Sequence, residues 1–247
     1  MTPPRQLSVA VATFVAIALG PGLTSAGPIV PNASFSLGYS GFTSSYTYLS
    51  SSTLPNYGLM YPEGTFTVGT DPSQVHDRWA SFGDHTTGDG LMMIVNGNRA
   101  AEMLVWSTTV DVDPNTQYDF TAWAASMRYR SPASLAFSIN GTLLDGPLNL
   151  PSETGLWQQF TSGWSSGDST VAVLSLINRN TEWNGNDFAL DDIMLNALAP
   201  IEPFSFAFPE EPGDVSEAEA VVPEPASLLL FGSGLAALAG VRKNRKK

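Results

Sequence analysis

The middle of the chain repeats one pattern, in which short apolar or alternating runs are separated by Gly, Pro, Asn and Asp residues. Around Tyr118, Phe120 and Ala122, apolar and polar residues alternate as they do in a strand with one buried face. No sustained helical period with caps interrupts the series. Many short strands at this spacing predict an all-β chain that folds as a two-sheet antiparallel β-sandwich. The predicted strands are residues 65–68, 91–95, 103–110, 118–124, 135–139, 157–161, 171–177 and 188–195.

The core of this sandwich has to supply the stability of the domain. The chain has no cysteine, so it has neither a disulfide framework nor a thiolate metal site. The predicted domain, residues 27–198, is long enough to bury a proper apolar core. One of its runs, residues 171–177, is apolar at nearly every position, which predicts a strand buried on both faces.

The N-terminus has the three parts of a secretory signal peptide. Arg5 gives a positive start, residues 7–19 form an apolar run, and Ala26 ends a small-residue cleavage position. The run is too short to span a bilayer. It also lacks the two-faced pattern of a buried N-terminal helix, which is the alternative. We therefore predict a signal peptide with a helical core at residues 1–26.

The C-terminus combines an exposed motif, an apolar helix and a basic end. Pro223 and Pro225 keep Glu224 in an extended, accessible segment. Residues 226–241 carry no charge, and as a helix they would reach about 24 Å, short of the roughly 30 Å hydrocarbon core. We interpret the segment as a temporary transmembrane stop that the positive-inside rule holds in place. The cations at its end are Arg242, Lys243, Arg245, Lys246 and Lys247.

Residues 223–247 closely resemble the PEP-CTERM sorting signal of Gram-negative bacteria. The resemblance implies that the general secretion machinery brings the chain to the inner membrane. It also implies that an exosortase, a membrane-embedded protease-transpeptidase, recognises Pro223, Glu224 and Pro225 and removes the tail. The product would be a cell-surface or extracellular protein, commonly of a species that makes exopolysaccharide or a biofilm. A plain tail anchor is the alternative.

Charge is distributed unevenly between the two ends. Residues 27–198 contain five arginines and no lysine, against many carboxylates, which leaves no cationic face for nucleic acid. Residues 199–222 are acidic and Pro-rich and predict an extended linker. Three phenylalanines in this linker leave an edge strand or a partner contact open: Phe204, Phe206 and Phe208.

Two segments of the domain resemble carbohydrate-binding modules. Residues 29–35 are similar to the opening of galactose-binding-like modules, and residues 186–193 are similar to their last strand. The similarity covers residues 29–196 and implies a jelly-roll sandwich. In those modules a structural calcium lies between the last strand and an acidic residue near the first. Asp191 and Asp192 are the candidate calcium ligands, although Ser36 stands where the resemblance implies a glutamate.

Asp191 and Asp192 are adjacent, so on a regular strand their side chains point to opposite faces. They would then not form a glycosidase pair, whose carboxyl groups lie about 5–9.5 Å apart across one sugar. One of them could ligate calcium, or one is solvated while the other accepts backbone hydrogen bonds. Residues 84–90 and 111–115 leave a similar choice between a cation site and a turn that caps its own backbone.

Arg128, Tyr129 and Arg130 form the predicted ligand surface. They follow a strand in a domain with few basic groups, and arginine can bind the carboxylate of an acidic sugar through two hydrogen bonds. No nucleophile or zinc motif is visible, and two histidines, His76 and His85, leave little scope for acid–base catalysis. We therefore predict a non-catalytic protein that binds carbohydrate or exopolysaccharide. The alternatives are a structural matrix component and, less favoured, a carbohydrate-active enzyme.

Overall fold

Eleven strands form two facing sheets in the part of the chain that the computed structural model describes, residues 29–50 and 53–198. Six strands form one sheet in the order β1-β2-β3-β11-β5-β9. The other sheet has the order β4-β10-β6-β7, with β8 beside β6. All pairs of strands are antiparallel except β1 and β2. The bounds are β1 Thr47–Tyr48, β2 Thr65–Gly69, β3 Met92–Asn96, β4 Leu104–Asp111, β5 Gln117–Ser126, β6 Ser134–Ile139, β7 Thr142–Leu143, β8 Leu148–Asn149, β9 Gln158–Ser165, β10 Val171–Asn178 and β11 Phe188–Ala197, with a 3-10 turn at Pro72–Gln74.

The two-sheet antiparallel sandwich predicted from the sequence is confirmed, and all eight predicted strands are present. The sequence pattern does not predict β1, β7 and β8, because two residues are too few to show a period. The predicted signal peptide, linker, sorting motif and sorting helix lie outside the described residues, and the domain boundaries stay predictions. Within the described ranges, no helix is long and apolar enough to cross a membrane.

Aromatic side chains fill the space between the sheets. Phe120 of β5 packs on Phe137 of β6 with ring centroids 5.4 Å apart, and Phe137 stacks on Phe160 of β9 at 4.6 Å. All three side chains are buried. Each buried phenylalanine stabilises the fold by about 1.5–3 kcal/mol relative to an exposed one. The core therefore supplies the stability that disulfides give to many exported domains.

The prediction that residues 171–177 are buried on both faces is wrong. Ala172 and Leu174 face the core, whereas Val171 and Val173 are 40% and 41% exposed. The outer face of β10 is open to solvent at these positions. Valine is found there because β-branched residues suit extended backbone even when one face is wet.

β2, β3 and β11 of the six-stranded sheet are buried on both faces. Residues 53–64 before β2 and residues 70–91 after it form a covering segment on the outer face of this sheet. Met60, Val75 and Trp79 belong to an apolar cluster that also contains Met92 of β3 and Ala189 of β11. This packing holds the covering segment against the sheet, where part of it lines a cavity.

Candidate functional site

A cavity of about 260 Å³, here called the loop-end cavity, lies at the end of the six-stranded sheet where β3 ends and β11 begins. Four loops and the last residue of β3 line it. The lining combines aromatic rings with charged and amide groups: Tyr61, Trp183, His76, Glu63, Asp187, Arg78, Arg128 and Asn96. A second cavity, of about 40 Å³, has room for only a few water molecules.

The strand register brings these distant residues to one edge. β11 begins opposite the last residues of both β3 and β5. Asp187, one residue before β11, therefore lies at the same end as Asn96 of β3 and Arg128, which is two residues beyond β5. Glu63 joins them because β2 begins opposite Asn96.

Asp187 is a buried carboxylate with two fixed donors. Trp79 Nε1 donates to Asp187 Oδ2 at 3.1 Å, and the Gly97 amide donates to Asp187 Oδ1 at 3.3 Å. Burial raises the pKa of Asp187 to about 7, although these two hydrogen bonds oppose the shift. The carboxyl is therefore partly protonated near neutral pH.

Glu63 brings a polar atom that nothing in the described residues satisfies. Its Oε2 is buried and has no hydrogen-bond partner there. Burial raises the pKa of Glu63, and the nearby charge of Arg99 partly opposes this. A buried oxygen without a partner costs about 1–3 kcal/mol, so a ligand group that bonded to it would recover that free energy.

His76 forms part of an aromatic stack. Its ring lies 4.5 Å from Trp79 at 18°, and Tyr61 meets it edge-on at 4.8 Å. The Arg78 amide donates to His76 Nδ1 at 3.1 Å, which places the proton of the neutral ring on Nε2. Burial lowers the pKa of His76, so the ring is neutral at physiological pH.

The structure separates the three residues of the predicted ligand surface. Arg128 lines the loop-end cavity. Tyr129 is 60% exposed outside that lining, and Arg130 is also exposed. Arg130 Nε donates to the Tyr129 hydroxyl at 2.8 Å, and its guanidinium carbon lies 5.3 Å from the tyrosine ring centroid. Arg128 is therefore the member of the triplet that the fold brings together with the other cavity residues.

The 127–133 loop, which carries Arg128, is bonded to the 179–187 loop, which carries Trp183. The backbone N–H of Asn186 donates to the Ser131 carbonyl at 2.7 Å, and Asn180 Nδ2 donates to the same carbonyl at 2.9 Å. The two loops therefore form one wall of the cavity.

The Asp pair, Asp191 and Asp192, does not point to opposite faces as predicted. The register of β11 against β5 shifts after Asp191, and Asp192 has a φ of 45°, so the strand bulges. Both carboxylates consequently reach the loop at residues 84–90. Thr86 Oγ1 lies 2.7 Å from Asp192 Oδ1 and 3.3 Å from Asp191 Oδ2. His85 Nδ1 lies 2.7 Å from Asp192 Oδ2, and the His85 amide donates to Asp191 Oδ2 at 2.9 Å.

The Asp pair does not fit a calcium cage. Asp191 Oδ1 accepts the Asp192 amide at 2.9 Å, and the other three carboxylate oxygens face the donors of His85 and Thr86. Burial, with the neighbouring charge of Asp192, raises the pKa of Asp191 to about 6. The described ranges contain no cluster of three or more His, Asp or Glu residues suited to a metal. Calcium therefore stays a prediction from the resemblance.

Near Ser36, the first loop is closed by an amide side chain. Asn32 Nδ2 donates to the carbonyls of Gly38 and Ser40 at 2.9 Å, and Asn32 Oδ1 accepts the Leu37 amide at 2.9 Å. These bonds order the loop through protein groups alone.

The two acidic segments are turns. In residues 84–90, Asp84 accepts the amides of Thr87 and Gly90 at 3.0 and 2.7 Å, as the self-capping interpretation predicts. Of residues 111–115, Asp111 ends β4 and the other four lie in the turn between β4 and β5.

Most of the cavity is not evident from the sequence. Trp183, Glu63 and Asp187 lie in loops without a recognisable motif, and only Arg128 was a predicted site residue. The one available signal was the arginine count: residues 27–198 have five, and two of them line the cavity.

Solved structures with similar folds include carbohydrate-binding domains and enzymes. The CBM22-1 xylan-binding domain of Paenibacillus barcinonensis Xyn10C is 15% identical, covers 67% of this chain and 91% of its own, and has a TM-score of 0.43. A family 16 carbohydrate-binding module is 16% identical, with 68% and 98% coverage and a TM-score of 0.39. The Stig cyclase Fisc of Fischerella sp. TAU is 13% identical, with 69% and 96% coverage and a TM-score of 0.48. At these values the similarities carry no inference about a ligand.

The family is identified for the C-terminal segment. The profile of the PEP-CTERM protein-sorting motif matches residues 221–246, as the three-part tail predicts. This motif is generally a marker of exosortase substrates and implies export and surface sorting. No curated protein matches the sequence.

Proposed function

We propose that this exported, PEP-CTERM-sorted protein binds a carbohydrate in the loop-end cavity of its sandwich and does not catalyse a reaction. On this proposal exosortase acts at Pro223, Glu224 and Pro225, and the released domain contacts exopolysaccharide at the cell surface. The observation that carries the proposal is Trp183, a large aromatic side chain that is 59% exposed and lines the cavity together with hydrogen-bonding groups.

The lining complements the chemistry of a sugar. A pyranose ring presents C–H groups on its faces and hydroxyl groups around its rim, so it pairs with an aromatic face flanked by donors and acceptors. Trp183 and Tyr61, 54% exposed, offer such faces. Arg78 and Arg128 line the same cavity, and their guanidinium groups can donate hydrogen bonds to sugar hydroxyls. The volume of about 260 Å³ suits one sugar residue of a polymer rather than a long stretch of it.

Binding of the full-length protein to a panel of neutral and acidic polysaccharides tests the proposal. Affinity gel electrophoresis measures binding as the retardation of the protein in a gel that contains the polysaccharide. We expect Trp183→Ala to weaken binding about tenfold or more, because it removes the exposed aromatic face. Leu143→Ala is the control, since Leu143 is an exposed apolar residue on the edge strand β7. If no polysaccharide binds, the result favours the alternative that the protein is a structural matrix component. Release of reducing sugar from a bound polymer would contradict the non-catalytic part.

A further inference from the structure

We propose, on the basis of the proposed function, that the cavity selects an acidic sugar residue, whose anionic group is bound by the guanidinium groups of Arg78 and Arg128. This goes beyond sugar binding because it names the charge of the ligand and the two side chains that recognise it.

Both guanidinium groups are available to a ligand. Arg78 is exposed, Arg128 is half-buried, and both line the cavity. Within residues 29–50 and 53–198, neither forms a salt bridge with a carboxylate or donates a side-chain hydrogen bond. Arg130 differs, because its Nε is bonded to Tyr129. A guanidinium that is not paired inside the protein presents its planar set of donors to a carboxylate or sulfate.

The other arginines lie at the same end of the sandwich. Arg99 follows β3, Arg130 follows β5 and Arg179 follows β10, and these strand ends adjoin the start of β11. The opposite end carries Asp168 in a loop and Asp111 at the end of β4, and residues 27–198 hold sixteen carboxylates in total. The cavity end carries all five arginines of these residues together with five carboxylates: Glu63, Asp77, Glu102, Glu182 and Asp187. This end therefore repels an anionic polymer less than the rest of the domain does.

Burial weakens the repulsion between the carboxyl groups of the cavity and an anionic ligand. Burial raises the pKa of Asp187 to about 7 and raises that of Glu63, so both lose negative charge more readily than exposed carboxyls do. A protonated Glu63 would also donate a hydrogen bond from its carboxyl to a sugar oxygen.

Polymers that share a backbone and differ in charge test the inference. Polygalacturonate and its fully methyl-esterified form are titrated against the full-length protein, with alginate and hyaluronan as further carboxylate polymers. Comparison of dextran with dextran sulfate tests whether a sulfate group is bound in the same way as a carboxylate. We expect binding to an acidic polymer that exceeds binding to its neutral partner about tenfold or more. The excess should shrink as salt rises from about 0.15 M to about 0.5 M.

Arg78→Gln and Arg128→Gln should each weaken binding of the acidic polymer about tenfold and leave binding of a neutral polymer almost unchanged. Arg179→Gln is the matched control, because it removes the same charge from the same end without touching the cavity lining. Its affinity should stay near that of the wild type. Melting temperatures of the three variants show that each one is folded.

The outcomes separate this inference from the proposed function. Equal binding of neutral and acidic polymers, with both arginine variants unaffected, overturns the acidic preference and leaves sugar binding intact. Equal weakening by Arg179→Gln overturns the cavity clamp, because it shows general attraction to the arginine-rich end. Binding to none of the polymers overturns both proposals.

Discussion

Asp187 links the cavity to the stability of the fold. Asp187 is 4% exposed, and burial raises the pKa of its carboxyl to about 7 from a usual value near 4. The folded state therefore holds this proton more tightly than the unfolded state does between about pH 4 and pH 7. Between these pH values, a rise in pH therefore lowers the stability that protonation of Asp187 gives to the native state.

We expect the free energy of unfolding to fall as the pH rises from about 5 to about 8, by at most about 2.7 kcal/mol from this group. Thermal melting of the full-length protein across this range measures the effect. Asp187→Asn should reduce the pH dependence, because it removes one of the carboxyls whose pKa burial raises, while those of Asp191 and Glu63 remain. Asp168→Asn, at an exposed turn, controls for the change in charge alone. A wild-type melting temperature that is as high at pH 8 as at pH 5 would show that the folded protein does not protonate Asp187.

At the residue level, the sequence points to a side chain with an intrinsic property and does not point to residues whose surroundings depend on the fold of a loop. Arg128 was predicted because guanidinium groups are rare in this acidic domain. Trp183 could not be told apart from the other five tryptophans, and Glu63 was missed. The exposure of a tryptophan and the lack of a partner for a carboxyl oxygen both depend on how loops fold against each other. Asp187 was read only as part of the last strand, although its burial follows from the register of that strand.

Among the elements, the contact between the 127–133 and 179–187 loops has the sharpest steric requirement. Gly185 has a φ of 139°, a backbone conformation that residues with a side chain rarely adopt. A Cβ atom there would collide with the carbonyl oxygen of Arg130. The wall that presents Trp183 and Arg128 therefore depends on a residue that touches no ligand.

We expect Gly185→Ala to lower the free energy of unfolding by more than about 1 kcal/mol and to weaken polysaccharide binding, because the two loops must separate. Chemical denaturation and affinity electrophoresis measure the two effects. Gly146→Ala is the control, since a Cβ at Gly146 meets no atom within 4 Å. Binding of Gly185→Ala with wild-type affinity would mean that the wall is not fixed by this contact.

The sandwich follows from the sequence because periodicity directly records which face of each strand is buried. Two predictions about individual strands were wrong: the burial of both faces of β10 and the opposite directions of the Asp pair. An apolar run does not tell whether a second layer covers a strand, so Val173 was placed in the core. Alternation also assumes a regular strand, whereas the bulge after Asp191 turns both carboxylates toward His85.

For the molecule as a whole, stability without cysteine depends on the apolar core. The resemblance to carbohydrate modules adds a predicted structural calcium, which the hydrogen bonds of the Asp pair disfavour. We expect the melting temperature of the full-length protein to be the same in calcium and in chelator, because donors already occupy the oxygens of Asp191 and Asp192. Calorimetry with magnesium as a control measures this. A site saturated at a hundred times its dissociation constant would add about 2.7 kcal/mol. A rise in melting temperature with calcium that chelator reverses would therefore show that calcium binds. It would contradict the expectation that the Asp pair does not bind calcium.

The place of β11 in the sheet has a consequence for export. It is the last of the described strands, yet it lies between β3 and β5, so the six-stranded sheet stays divided until residue 197 has been delivered. On an export route that threads the chain from its N-terminus, this sheet therefore cannot be completed early. Its completion has to wait until nearly all of the domain has crossed. The sorting motif at residues 221–246 follows shortly afterwards in the chain, so closure of the sheet and arrival of the processing signal come close together in time.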